Sequence, residues 1–426
     1  MIDRKKAPTV RPFAKMSMPS ENKEILDNGI TLHTFSGGEQ PICHLSIYFA
    51  GGASELCGDI AAKIMLACLT DGTATHTADE IGDTIDYNGV RVGSTCHAHY
   101  SSLRFSMLNH RIADFLPIAS DIIANPIFPD ERLETARLRA KAQIETSLQE
   151  VSTIADNAFN KLIMGKRHPL AINITSDDVD KYTRPYITDM HRQMICPAKA
   201  HAFLCGQIDS HIIKALRDFL QAIPSIGLGY KASVIPYTPC CAGTIDTIPK
   251  DDSYQSAIIM GMPAISRADN NYIPLRLSII ALGGYFGSRL MANIREDKGL
   301  TYGISAALIG SQEGSYLKIA AQCDKEYTSA VINEVIHELD NLKINPPRGK
   351  ELERLKLYAA TSLAELLDTP SSISGYYATQ LLVGTPDNYF ELQQRAIDTL
   401  TPDIIAEMAD CYLRPQNLIT VIGGQR

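Results

Sequence analysis

The stretch Gly283-Gly284-Tyr285-Phe286-Gly287-Ser288-Arg289-Leu290, running on through Ile294-Arg295-Glu296-Asp297-Lys298-Gly299-Leu300-Thr301-Tyr302, decides how this chain is read. It holds a glycine-bearing turn that follows a strand and a helix, and the same order of elements occurs once before it in the chain. The apolar strand 45–50 runs into Gly51-Gly52, and the apolar strand 257–260 runs into Gly261. In each case a helix and a glycine-bearing turn come next.

The recurrence continues outward. Helices are expected over 111–124 and 130–150, broken by Pro126 and Pro129, and again over 327–342 and 349–367, broken by Pro346-Pro347. Each half closes on a helix and an apolar strand, 200–205 ending at Gly206 and 418–422 ending at Gly423-Gly424. The opening strands start at 45 and 257, 212 positions apart, and the closing glycines 206 and 423 are 217 apart. Two copies of one α+β unit of about two hundred residues each account for this better than one large domain. The reading divides the chain into 1–222, a Pro- and Gly-rich linker 223–253, and 254–426.

Local signals fill in the first unit. Thr77-Ala78-Asp79-Glu80 is a capping box opening a helix with Ile81 and Ile85 on one face, and Gly89 is placed to end it. Asp59 is placed to cap the helix 60–69, which is apolar all round apart from Lys63 and is expected to be buried.

Composition bounds the function. With 426 residues, 45% of them hydrophobic, the chain is long enough to bury two cores. The net charge of -8 and interspersed charges argue against a nucleic-acid partner. The first twenty residues carry Arg4, Lys5, Lys6, Arg11 and Lys15 with no apolar run behind them, so neither a secretory signal nor a membrane anchor is expected, and cytoplasmic residence follows. The ten cysteines form no Cys-x-x-Cys pair, and they read as small buried hydrophobes, with Cys240-Cys241 an incidental neighbour pair.

From about Leu26 to the C-terminus, and most sharply over 283–302, the sequence resembles the insulinase/pitrilysin (M16, inverted zincin) peptidases, which include insulin-degrading enzyme, the mitochondrial processing peptidase and the core subunits of the respiratory bc1 complex. The resemblance implies an α+β fold of two homologous domains, each a mixed or antiparallel sheet packed against helices. In that family the pattern ends in an arginine and a tyrosine seven positions apart, matched here by Arg295 and Tyr302. Attack of water on a peptide carbonyl puts negative charge on its oxygen, and a guanidinium with a phenolic hydroxyl can donate to it. Taken singly, the two residues read as a cation at a helix end and a strand aromatic.

The zinc half of the family's site is missing. Active members carry His-x-x-Glu-His on a helix shortly before a Gly-Thr. Counting back from Gly72-Thr73, the three functional positions hold Lys63, Leu66 and Ala67; Leu and Ala have no donor atoms, and an ammonium repels Zn²⁺. Glu145 falls near the family's third-ligand position; it reads as a plain solvated helix residue, or else as a relic or a partner for a buried Lys63. His97-x-His99, on an expected strand with His76 nearby, reads as a pair of surface or packing residues, with relocated metal ligands the alternative.

The resemblance therefore implies the non-zinc subunit of a heterodimeric peptidase, with no cofactor on this chain and zinc on a homologous partner. Arg295 and Tyr302 would meet an extended peptide in a shared chamber. The rival reading is a catalytically inert peptide-binding or assembly scaffold of the same fold.

Overall fold

A computed structural model describes residues 15–424, so the basic residues Arg4, Lys5, Lys6 and Arg11 lie outside the described residues. Among the described residues eleven strands form two sheets. The first contains β1 (Asn22–Ile25), β2 (Thr31–Ser36), β3 (Ile42–Ala50), β4 (Arg91–Cys96), β5 (Tyr100–Leu108) and β6 (His201–Gly206), in the order β1-β2-β6-β3-β5-β4. The second contains β7 (Ile245–Ile248), β8 (Gln255–Ala264), β9 (Ile304–Gly310), β10 (Ser315–Asp324) and β11 (Ile419–Gly423), in the order β7-β11-β8-β10-β9.

Apart from the outer strand β1, the second sheet repeats the first strand for strand. β6 and β11 each take a parallel neighbour, β2 and β7, while the other pairs are antiparallel. The architecture is α+β with two like sheets, as the sequence led us to expect. β7 lies within 223–253, so the segment read as a linker contributes an edge strand.

Period-2 alternation sets the faces of the sheets. Cys43, Leu45, Ile47 and Phe49 of β3 and Leu103, Phe105 and Met107 of β5 point into a core closed by the helices Ile60–Ala67, Ile112–Ala124, Arg184–Met194 and Ser210–Gln221. Ile258, Met260 and Met262 of β8 do the same under Thr328–Ile344, Lys350–Ala364 and Pro402–Tyr412.

The opposite face of each sheet is covered by a helix from the other half. Val151–Met164 lays Phe159 and Ile163, both fully buried, on Ile259, Tyr316 and Val421 of the second sheet. Pro370–Val383 lays Ala378 on Tyr48, Phe203 and Cys205 of the first. Gly261 makes the first contact possible: a Cβ there would stand 2.6 Å from Phe159 Cζ and 2.1 Å from Leu317 O. With both faces covered, β8 and β11 are buried almost continuously instead of alternately.

The capping box forms as read. Thr77 Oγ1 accepts from the Glu80 N–H at 3.3 Å and Glu80 Oε2 accepts from the Thr77 N–H at 2.8 Å, with Asn88 and the left-handed Gly89 ending the helix. Thr77→Ala is expected to lower unfolding free energy by about 1 kcal/mol in urea titration. Asp59 does not cap its helix. Its backbone is helical there, and its carboxylate pairs instead with Lys63 one turn on. The ten cysteines are free, and Cys57, Cys241 and Cys411 are exposed, against the expectation that all are buried.

Candidate functional site

The stretch 283–302 is built around two π-helical segments, Ile280–Gly284 and Met291–Asp297, on either side of a tight turn. Such widened turns are uncommon and recur at functional sites. Most of the stretch has a structural task. A Cβ on Gly283 would stand 2.6 Å from that of Ala306, so only glycine lets this helix sit on β9. Arg289 forks onto Glu351 at 2.8 and 3.1 Å. Asn293 donates to Glu334 and Glu338 on Thr328–Ile344, and Lys298 pairs with Glu334 at 2.5 Å.

Three side chains of the stretch, Phe286, the half-buried Arg295 and Tyr302, have no hydrogen-bond or ion-pair partner among the described residues. Phe286 is exposed, the Arg295 guanidinium stands 4.9 Å above its ring, and Tyr302 is 92% exposed in the turn just before β9, not on a strand. Among the described residues Arg295 makes no ion pair. The turn that presents Tyr302 is fixed: the Leu300 N–H donates to Ile294 O at 2.9 Å, and Thr301 Oγ1 donates to Gln322 O at 2.6 Å. The geometry offers a planar cation and a phenolic hydroxyl, both uncommitted, on a rigid base.

The positions of the lost zinc motif look different. Lys63 and Ala67 lie on the exposed side of Ile60–Ala67, while Leu66 is packed in the first core. Lys63 is not a buried cation paired with Glu145: its ammonium is more than half exposed and held by Asp59. Glu145 is exposed on Asp130–Ser147, where a long helix simply turns a carboxylate to water.

The His97-x-His99 pair does not lie on a strand. It forms the tight turn between β4 and β5, closed by the His97 N–H donating to Tyr100 O at 2.7 Å. His99 is buried with both ring nitrogens engaged by carboxylates. Nδ1 meets Glu55 Oε1 at 2.8 Å, and Nε2 forms an ion pair, without hydrogen-bond alignment, to Glu313 of the β9–β10 turn. Glu313 and then Glu55 raise the His99 imidazole to about 9 against the opposing effect of burial. Burial pushes the Glu313 carboxyl upward, but His99 and Ser311 more than offset it and leave it below its usual range. His76 sits elsewhere, 2.9 Å from Asp121. Sequence reasoning passed over Glu55 and Glu313, since nothing local marks either one.

Three comparisons bear on this arrangement. The family described as "Peptidase M16 inactive domain" matches residues 181–358. An uncharacterized zinc protease of Streptomyces coelicolor is 22% identical over 374 residues, 83% of this chain and 78% of the relative. A crystal structure of a peptidase M16 inactive domain from Pseudomonas fluorescens superposes with a TM-score of 0.86 at 21% identity, covering 96% of this chain and 99% of that one. Over residues 181–358 the chain matches the inactive type of the M16 peptidase family, and its fold is that of an M16 peptidase domain. Its relatives also include a probable inactive metalloprotease of Bacillus subtilis, 20% identical over 62% of this chain and 63% of that one.

A catalytic zinc does not fit the M16 motif positions here. One ammonium, two donorless side chains and a lone exposed carboxylate supply at most one ligand where zinc takes three from protein. Among the described residues no group of three His, Cys, Asp or Glu is placed to hold a metal ion. Elemental analysis of the chain purified without added metal or metal-affinity resin is expected to find close to no zinc. A value near one per chain would overturn this reading.

Proposed function

We propose that this chain is the non-zinc subunit of an M16-type peptidase. It forms a clamshell with a homologous chain carrying His-x-x-Glu-His, and the two units 1–222 and 254–426, joined through 223–253, line its part of the chamber. Arg295 and Tyr302 bind the substrate carbonyl and donate to its oxygen as charge develops during hydrolysis by the zinc-bearing partner. The single observation that carries this is the asymmetry of the two motifs. Phe286 and Tyr302 are exposed and the half-buried Arg295 is stacked on Phe286, on a stretch anchored by Arg289, Asn293 and Lys298, whereas the zinc positions hold Lys63, Leu66 and Ala67.

The chemistry is that of an oxyanion donor set. A guanidinium and a phenol aimed at the position of the developing oxyanion stabilise the transition state more than the ground state. The chain itself moves no proton; it binds, orients and polarises. The outer strands β4 and β9 are sheet edges, and an extended peptide can add to such an edge through its main chain.

An inert scaffold has no use for a presented Arg–Tyr pair. The double variant Arg295→Ala, Tyr302→Phe separates the readings when assembled with the cognate zinc-bearing chain. Retained assembly with lost hydrolysis supports the subunit. Retained assembly with full hydrolysis, or lost assembly, supports the scaffold.

A further inference from the structure

The face of the first sheet turned away from its own helices carries the alternate residues of its strands. Reading across in register, His44 faces Ser106 and then Arg91, and Ser46 faces Arg104 and then Gly93. Helix Pro370–Val383 covers only the β6 side of these rows. The β4 side stays open as a groove of about 460 Å³, with Tyr48 and Phe203 in its floor and Ser371, Ser374 and Gly375 in one wall.

The groove has one sign of charge. Arg91 and Arg104 line it and no carboxylate does. Among the described residues neither arginine is in an ion pair, and the one hydrogen bond either makes is Arg104 Nη2 donating to Thr95 Oγ1 at 3.2 Å. Burial lowers the His44 imidazole, so it stays neutral, and its Nδ1 is hydrogen-bonded to Ser106 Oγ at 2.8 Å. Gly93, the cross-strand neighbour of Arg104, puts no side chain over this face, and a Cβ there would meet no atom within 4 Å.

Two unpaired guanidiniums above an aromatic floor are a receptor for a carboxylate on an apolar stem. β4 is the last strand of the sheet, and an extended segment added to its edge would send every second side chain onto the face that bears Arg91 and Arg104.

We propose that this groove selects a carboxylate of an extended peptide lying along β4, so that the peptides this chain grips are acidic there. The inference rests on the peptide-gripping role given above and adds the substrate class. The carboxylate is supplied either by an Asp or Glu side chain or by the peptide's own C-terminus.

Fluorescence anisotropy of the full chain with three labelled, alanine-based ten-residue peptides tests it: one interior Glu with an amidated C-terminus, the Gln counterpart also amidated, and the Gln counterpart with a free C-terminus. At least one of the carboxylate-bearing peptides is expected to bind about tenfold more tightly than the amidated Gln peptide, and which one does so identifies the source. In Arg91→Gln, Arg104→Gln that ratio is expected to fall to near one; both side chains are exposed, and an unchanged melting temperature verifies the fold. Three peptides that bind equally well, or a preference that persists in the variant, would overturn the groove while leaving peptide gripping intact. No binding of any peptide would remove the gripping role, and the groove with it.

Discussion

With the zinc-bearing partner present, Arg295→Ala is expected to lower the turnover of a peptide by about 10²–10³-fold, the cost of one lost oxyanion donor, about 2.7–4 kcal/mol. Tyr302→Phe removes only a hydroxyl and is expected to fall in the same direction. The two losses should not add if both groups serve one oxygen. The loss belongs in kcat more than in KM, because the donors matter most when charge has developed on the carbonyl oxygen. Neither change should disturb the fold. Tyr302 is 92% exposed and Arg295 rests on Phe286 instead of in an ion-pair network. Steady-state kinetics of wild type and variants, each mixed with the zinc-bearing chain, read this out. A loss confined to KM would mean that the pair binds ground state and transition state equally and does not act on the developing charge.

His99→Ala is expected to destabilise the chain by about 3–5 kcal/mol, because it leaves the Glu55 and Glu313 carboxylates buried together without the cation between them. The three residues come from both halves. Glu55 follows β3, His99 turns β4 into β5, and Glu313 turns β9 into β10, so the bridge ties the two sheets at one point.

The bridge also sets a pH window. The His99 imidazole is raised to about 9 in the folded chain, above its usual 6.5, so its stabilisation is complete below about 6.5 and is lost as pH climbs through about 9. The Glu313 carboxyl is lowered from 4.5, so its share is present above that value and is lost as pH falls below it. Melting curves from pH 4 to 10 should show wild type losing its advantage over His99→Ala on the alkaline side. Parallel curves across that range would contradict the bridge.

The repeated strand order was legible because strands that run into glycines leave landmarks at a nearly constant offset, and β3 with β8, and β6 with β11, fall where those landmarks put them. Which sheet a helix covers was not legible. Val151–Met164 and Pro370–Val383 each carry apolar residues suited to either sheet, and their crossing to the opposite half is a tertiary choice.

Arg295 and Tyr302 could be named from the motif, but their presentation depends on π-helical turns that no residue pattern announces. Lys63 was misplaced because the stretch 60–69, apolar apart from that one residue, reads as a helix buried on every side. Asp59, four residues earlier, was the available sign of a paired and solvated lysine. The partners of His99 were not legible for a different reason: they lie 44 and 214 positions away in the sequence, and only the fold brings them together.

The central claim is that this chain completes a site whose metal lies on another chain. The most direct measurement is the rate of peptide hydrolysis by the cognate chain carrying His-x-x-Glu-His as this chain is titrated in. The account predicts little hydrolysis by either chain alone and a rate that rises to a plateau at one chain per partner. A partner that hydrolyses peptides equally well with and without this chain would contradict it.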